Sequence, residues 1–129
     1  MSRTETNLNI EVVVHDTETA VLTIGGELDI DTATSLHHHM ANQFVHGRRH
    51  LVLDLSDLEF MDSSGLNVLI KAGREARNTG GDLHLAAPTP AVRRLFEITG
   101  LSVATPIHTN VDKALATAAT SAPQAEETT

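Results

Sequence analysis

The sequence contains no cysteine, no tryptophan and no tyrosine, and only three phenylalanines occur among its 129 residues. The absence of cysteine excludes disulfide bonds and thiolate chemistry. The scarcity of aromatic rings argues against recognition of nucleic acids by stacking on bases. It also predicts a hydrophobic core built from aliphatic side chains.

Positive charge is scarce as well, since 9 Lys and Arg stand against 17 Asp and Glu, giving a formal net charge of −8. Such a chain repels phosphate backbones and anionic lipid head groups, so we expect neither a nucleic acid nor a membrane partner. No apolar run approaches the ~18 residues of a membrane span, and the polar N-terminal segment lacks a secretion signal. The sequence therefore predicts a cytoplasmic protein whose partner presents a basic face.

The remaining composition is that of one globular domain, with 40% hydrophobic and 20% charged residues. The spacing of apolar residues along the chain, every second residue in strands and every third or fourth in helices, predicts the element order β-β-α-β-α-β-α-β-α. Strands that alternate with helices indicate an α/β fold with a mixed, mostly parallel sheet and about four helices, and the first strand adds an antiparallel edge. We expect the domain to span residues 1–118 and the polar tail, residues 119–129, to be disordered.

The same spacing of apolar residues predicts the individual strands and helices. The predicted strands are "LNIEVVV", "AVLTIGG", Leu51–Leu55, "DLHLAA" and a weak "LSVATPI". A first helix, capped by Asp31 or Thr32, should bury Ala33, Leu36, Met40 and Phe44. A second helix, about Ser64–Asn78, should bury Leu66, Leu69, Ile70, Gly73 and Ala76.

Eight histidines invite comparison with metal sites. His37, His38 and His39 are consecutive on a predicted helix, so their side chains point about 100° apart and cannot converge on one ion. His46 and His50 are no better placed. The sequence predicts no metal and no other cofactor.

The stretch "FMDSSGL", Phe60–Leu66, places two serines between an aspartate and a glycine. A nucleophile elbow would need G-x-S-x-G, which is absent, and no histidine stands in an obvious place for a general base. Asp62, Ser63 and Ser64 are all good helix N-cap residues. Three in a row exceed what one cap requires, and Gly65 would let another chain approach closely. Both a capping role and a functional role stay open on this evidence.

Asp54 invites comparison with the phospho-accepting aspartate of receiver domains. Those domains need an acidic pair after the first strand to hold Mg²⁺ and a lysine after a late strand. This chain offers only "HDTETA" after the first strand, and Lys113 lies inside a predicted helix. We therefore interpret Asp54 as a strand-end residue.

Three separated segments resemble one known family. "LVLDLSDLEFMDSSGLNVLIKA" resembles the signature of the STAS-domain anti-anti-sigma factors of bacteria. "GGELDIDTATSL" is similar to the GELD-type loop of that family, and "TPAVRRLFEITGL" to its third-helix region. The three segments span residues 25–101 in the expected order, so the resemblance implies a single STAS-type domain.

The resemblance also implies a function. Such proteins are not enzymes. Their unmodified form binds an anti-sigma factor that is also a serine kinase, and so frees a sigma factor. The kinase phosphorylates the serine after the motif's aspartate, here Ser63, and a PP2C-type phosphatase restores it. A monomer is the implied free state. The implied switch surface comprises Asp29, Asp62, Ser63, Ser64, Gly65 and Asn67.

One departure and one alternative accompany this expectation. Asn67 stands where many relatives carry glycine, on the exposed side of the helix, and bears on the identity of the partner. The alternative is a STAS scaffold or sensor that binds a nucleotide or small anion at the same helix N-terminus, whose free N–H groups favour anions.

Overall fold

The computed structural model describes residues 7–121 and contains one five-stranded sheet with the strand order β1-β2-β3-β4-β5. The strands are β1 (Leu8–Val14), β2 (Thr19–Leu28), β3 (His50–Met61), β4 (Asp82–Ala86) and β5 (Ile107–His108). β1 pairs antiparallel with β2, and every other pair is parallel. This arrangement confirms the predicted mixed sheet with its antiparallel edge.

Five helices connect or follow the strands in the described part of the chain. They are α1 (Ala33–Val45), α2 (Ser63–Asn78), α3 (Pro90–Thr99), α4 (Leu101–Ala104) and α5 (Val111–Ser121). Four of them correspond to the predicted helices, and α4 is a single additional turn. Because α5 continues to Ser121, it extends three residues beyond the predicted domain end. The rest of the predicted tail, residues 122–129, lies outside the described residues.

The predicted strand "LSVATPI" is wrong in its first half. Gly100 adopts a left-handed backbone conformation (φ 82°) that ends α3 and leads directly into α4. Leu101 then turns into the core, whereas Val103 is 90% exposed. The alternation of apolar and polar residues imitated a strand, but only Ile107–His108 joins the sheet.

β3 is longer than predicted. The apolar run Leu51–Leu55 accounts for less than half of it, and beyond Asp54 the strand pairs with β2 alone. Asp54 therefore lies within β3, which corrects its interpretation as a strand-end residue. Its Oδ1 accepts hydrogen bonds from the N–H and hydroxyl of Ser56. The exposed polar residues that follow Asp54 interrupt the apolar pattern, so the sequence did not predict that the strand continues.

The two faces of the sheet are covered unequally. On the main face, α1, α2 and α3 enclose a core of aliphatic side chains from all three helices and four strands, with Phe96 as its buried aromatic residue. The opposite face, here called the α5 face, has a smaller cluster of Val52, Ala86 and Ala114 beneath α5. The prediction of an aliphatic core is confirmed. Within residues 7–121, no helix combines the length and apolar character needed to cross a bilayer.

The predicted helix faces are largely correct. Leu36 and Met40 of α1 are buried, and Phe44 is partly buried against the core. In α2 the predicted stripe is buried except for Ile70, which is half-buried. Amphipathic periodicity thus fixed which side of each helix meets the sheet.

Candidate functional site

Two aspartates leave the sheet side by side at the carboxyl ends of β2 and β3. Leu28 and Met61 are direct partners in this parallel pair, so the residues that follow them, Asp29 and Asp62, are neighbours at one edge. The Asp62 N–H donates to the Leu28 carbonyl at 3.1 Å, which fixes this proximity. The structure therefore brings together the two aspartates that the sequence comparison had assigned to one surface.

Asp62 is the N-cap of α2. Its carboxylate accepts hydrogen bonds from the Ser64 N–H at 2.8 Å and the Gly65 N–H at 3.4 Å. Its carbonyl accepts from the Leu66 N–H at 3.0 Å and so begins the helical ladder. A negative charge here also meets the positive end of the helix dipole. Of the three cap-competent residues in the sequence, the first is the one that caps.

Because Asp62 caps the helix, the two serines are not needed for that role. Ser63 is the first residue of α2 and is exposed, whereas Ser64 is half-buried. Neither hydroxyl has a hydrogen-bond partner among residues 7–121. Asn67 is exposed and lies four residues after Ser63, so the two side chains are neighbours on the same helical face. Ser63 is thus an accessible hydroxyl with no structural task visible in this part of the chain.

Gly65 serves packing inside the domain. It is buried, and a Cβ at this position would lie 2.6 Å from Leu28 Cγ and 3.0 Å from Met61 Cγ. Glycine lets the first turn of α2 rest directly on the ends of β2 and β3. This finding corrects the expectation that Gly65 leaves room for another chain.

A hydrogen-bonded turn that begins at Asp29 leads into α1 at the same edge. The Asp29 carboxylate accepts from the N–H groups of Asp31 at 3.0 Å and Thr32 at 3.1 Å. The Thr32 hydroxyl in turn accepts from the Asp29 N–H at 2.9 Å and donates to the Glu27 carbonyl at 2.8 Å. This reciprocal pair has the hydrogen-bond pattern of a capping box. Thr32 occupies the N-cap position of α1, as one of the two predicted candidates, but its side chain makes no capping hydrogen bond to the helix. The D-x-x-T spacing is the signal that could have identified the turn at Asp29.

Two large apolar side chains beside the aspartates were not predicted as part of the site. Ile30 follows Asp29 and is 75% exposed, and Phe60 lies two residues before Asp62 and is 48% exposed. Both residues are close in sequence to the two aspartates, so their side chains add apolar area to this part of the surface. We call the set of Asp29, Ile30, Phe60, Asp62, Ser63 and Asn67 the serine edge.

The side chains of the serine edge are groups that a partner protein can contact. Among residues 7–121, no histidine hydrogen-bonds to Ser63, and no cluster of three or more His, Asp or Glu could hold a metal ion. What the geometry provides is an exposed hydroxyl near two carboxylates, bordered by apolar side chains. Such a surface can be recognised and modified by another protein.

Comparison with known proteins identifies the family. The STAS domain profile matches residues 9–114, which is most of the chain. The chain therefore belongs to the STAS domain family.

The similar proteins have related names. The chain is 34% identical over 111 residues to the anti-sigma F factor antagonist of Paenibacillus polymyxa, covering 84% of this chain and 93% of the relative. It is 32% identical over 95 residues to the anti-sigma-B factor antagonist of Staphylococcus epidermidis, covering 74% and 87%. The crystal structure of an anti-sigma factor antagonist from Mycobacterium paratuberculosis has a TM-score of 0.76 at 30% identity, covering 92% of this chain and 98% of that one.

Proposed function

We propose that this protein is an anti-sigma factor antagonist that is switched by phosphorylation of Ser63. The observation that carries the proposal is the exposed Ser63 hydroxyl, which makes no hydrogen bond within residues 7–121 and lies directly after the capping Asp62. Unphosphorylated, the protein binds an anti-sigma factor with serine-kinase activity, and a sigma factor is released. The kinase then transfers phosphate to Ser63, and a PP2C-type phosphatase removes it.

The fold can accept this modification. A phosphoserine adds about −1.5 to −2 charges. At a helix N-terminus such a charge is favourable by about 0.3–1 kcal/mol, which offsets repulsion from the neighbouring Asp62. No internal hydrogen bond of the Ser63 hydroxyl has to break within the described residues. We therefore expect the free energy of unfolding to change little on phosphorylation.

Binding should be far more sensitive than folding. In a complex, Ile30 and Phe60 would be buried, and the space around Ser63 would lose its water. A phosphate added there, beside the carboxylates of Asp29 and Asp62, becomes an uncompensated like charge at an interface, which costs several kcal/mol. A cost of about 2.7 kcal/mol already weakens binding about 100-fold.

The charge balance favours a partner whose contact surface is basic around an apolar or acidic patch that faces Ser63, since the chain carries a formal net charge of −8. The protein would act in the cytoplasm, where sigma factors and their regulators meet. We propose a monomer as the binding form, since a copy seated on the serine edge would cover Ser63.

The alternative of a nucleotide or anion sensor at the start of α2 is less well supported. The Asp62 carboxylate already accepts the Ser64 and Gly65 N–H groups that an anion would need. It also places a negative charge where the anion would bind.

A labelling experiment tests the proposal. The kinase that co-purifies with the protein from its native host is incubated with ATP and the wild type, Ser63→Ala or Ser64→Ala. We expect phosphate on wild type and Ser64→Ala and none on Ser63→Ala, while all three bind the kinase in the absence of ATP. Labelling that persists in Ser63→Ala and disappears in Ser64→Ala would show that the site is the wrong serine.

A further inference from the structure

Three histidines form a diagonal row across the α5 face of the sheet. His50 lies on β3, His84 on β4 and His108 on β5. His84 is the strand partner of Val52, and His108 is the partner of Ala86, so each step along the row advances two residues. The ring centroids are 5.4 Å apart between His50 and His84 and 5.8 Å apart between His84 and His108. His50 and His84 are each only 1% exposed.

One hydrogen bond joins the first two rings. His50 Nδ1 and His84 Nε2 are 3.2 Å apart, so one nitrogen donates and the other accepts. The remaining nitrogens, His50 Nε2, His84 Nδ1 and His108 Nε2, are buried without a partner in the described part of the chain. The pair keeps its hydrogen bond with at most one proton added, since two imidazolium rings would point N–H groups at each other.

The row lies beneath α5, where apolar contact is limited. Val52 and Ala86, which alternate with the histidines on the same face, contact Ala114 of α5, and Val111 and Leu115 pack at the margin. The main face has a much larger aliphatic core. The imidazole rings share the α5 face with these few apolar residues, so a charge on a ring falls where little apolar contact is present to offset it.

We propose that the row of His50, His84 and His108 is an acid-sensitive latch for α5. Each proton taken up by the row places charge beneath the helix, a second proton on the pair also breaks the His50–His84 hydrogen bond, and α5 leaves the sheet while the main face stays folded.

Burial sets the direction of the effect, and the surrounding charges modify it. Burial lowers the pKa of His84 to about 4, and it also lowers the pKa of His50 and of His108. Arg49 lowers the pKa of His50 further, whereas Asp82 opposes the shift at both His50 and His84. Weaker opposition to the shift at His50 comes from Glu18 and Asp16 in the β1–β2 turn. The remaining charged groups near this face are Asp54 on β3 and the exposed Asp112 and Lys113 on α5.

The pH window follows from these directions. A histidine released into water titrates near its ordinary pKa of ~6.5, so the undocked state takes up protons before the docked state does. Docking of α5 is therefore undiminished above about pH 6.5 and is lost progressively as the pH falls towards about 4. Each unit of pKa difference is a factor of about ten in the docking equilibrium. With His84 lowered to about 4, the full effect approaches about 100-fold.

Hydrogen exchange of the full chain between pH 7.5 and 4 tests the latch. After correction for intrinsic exchange, protection of the α5 amides should fall by about 100-fold, while β2 and α2 stay protected. In His84→Gln, whose amide can still bond to His50, α5 should keep most of its protection at pH 4. His38→Gln, which changes an exposed histidine on α1, should behave as wild type.

Three results would overturn the proposal: full protection of α5 at pH 4, simultaneous loss in α5 and the main face, or equal loss in wild type and His84→Gln. If His84→Gln does not fold, wild-type NMR decides the matter. The α5 amide shifts must then titrate with the same midpoint as the His84 ring, and separate midpoints contradict the latch.

Discussion

The starts of α1 and α2 use the same hydrogen bonds and expose different groups. At each start an aspartate follows a paired strand end, and its carboxylate accepts N–H groups two and three residues later. The carbonyls of Asp29 and Asp62 both accept from the residue four positions later. Asp62 is the N-cap of α2, whereas Asp29 begins the turn that leads into α1 and pairs reciprocally with Thr32.

The differences lie at equivalent positions. One residue after the aspartate, the turn before α1 has the apolar Ile30, and α2 has the exposed hydroxyl of Ser63. Three residues after it, α1 has Thr32, whose buried hydroxyl returns a hydrogen bond, and α2 has the buried Gly65. The hydroxyl at α1 serves the fold, whereas the hydroxyl at α2 is available to a partner. In the proposed function, the group that acts at this edge is the hydroxyl that the cap of α2 leaves unused.

The largest expected effect is on binding, from Ser63→Asp. The added carboxylate should weaken binding to the anti-sigma partner by about 100-fold or more, or about 2.7 kcal/mol, measured by titration calorimetry. Thr34→Asp adds the same charge to an exposed position in the first turn of α1 and should change affinity much less. Similar losses for both variants would mean that net charge, rather than position, controls binding.

Gly65→Ala should have the next largest effect. The new methyl group would meet Leu28 and Met61 below van der Waals distance, and overpacking of this kind costs about 1–3 kcal/mol. Urea unfolding measures the loss. Gly73→Ala in the same helix is the matched control, because its Cβ would meet the movable guanidinium of Arg77. Equal stability of the two variants would contradict the close packing described at Gly65.

Thr32→Val and Ser63→Ala compare how much each of the two hydroxyls contributes to the free energy of unfolding. Valine at residue 32 leaves the Glu27 carbonyl and Asp29 N–H without their partner, which costs about 1–3 kcal/mol. Ser63→Ala should change the free energy of unfolding by no more than about 0.5 kcal/mol. Thermal and urea unfolding of both variants check this. A destabilisation by Ser63→Ala that matches Thr32→Val would remove the distinction between the helix starts.

A modest loss of stability, larger than that from Ser63→Ala, is expected from Asp62→Ala, which removes one N-cap. Loss of the hydrogen bonds to Ser64 and Gly65 should destabilise the protein by about 1 kcal/mol. Asp62→Asn, which can still accept hydrogen bonds, should recover most of that stability in the same unfolding assay. Failure of asparagine to restore it would indicate that charge, rather than hydrogen bonding, carries the cap.

Much of this architecture was predictable because it depends on the local spacing of apolar residues. β1 occupies the predicted residues, and α2 begins one residue before its predicted start. The errors occur where contacts with distant parts of the chain determine the structure. The second half of β3 is a strand only because β2 continues beside it, and Gly65 is buried because Leu28 lies beneath it.

The site was predictable to a similar degree. The aspartates and Ser63 were found through resemblance to a family, whereas Ile30 and Phe60 gave no signal as isolated apolar residues. They became relevant once strand register placed them beside the two aspartates. The histidine row was missed for the same reason, since its members are spread from residue 50 to residue 108 and meet only across three strands.

The most direct test of the central claim compares the unmodified protein with protein phosphorylated to completion at Ser63. Affinity for the anti-sigma partner and the thermal midpoint should be measured on the same two samples. The account predicts a loss of affinity of about 100-fold or more and a shift of the midpoint below about 4 °C. Unchanged affinity, or a fold that melts on phosphorylation, would contradict it.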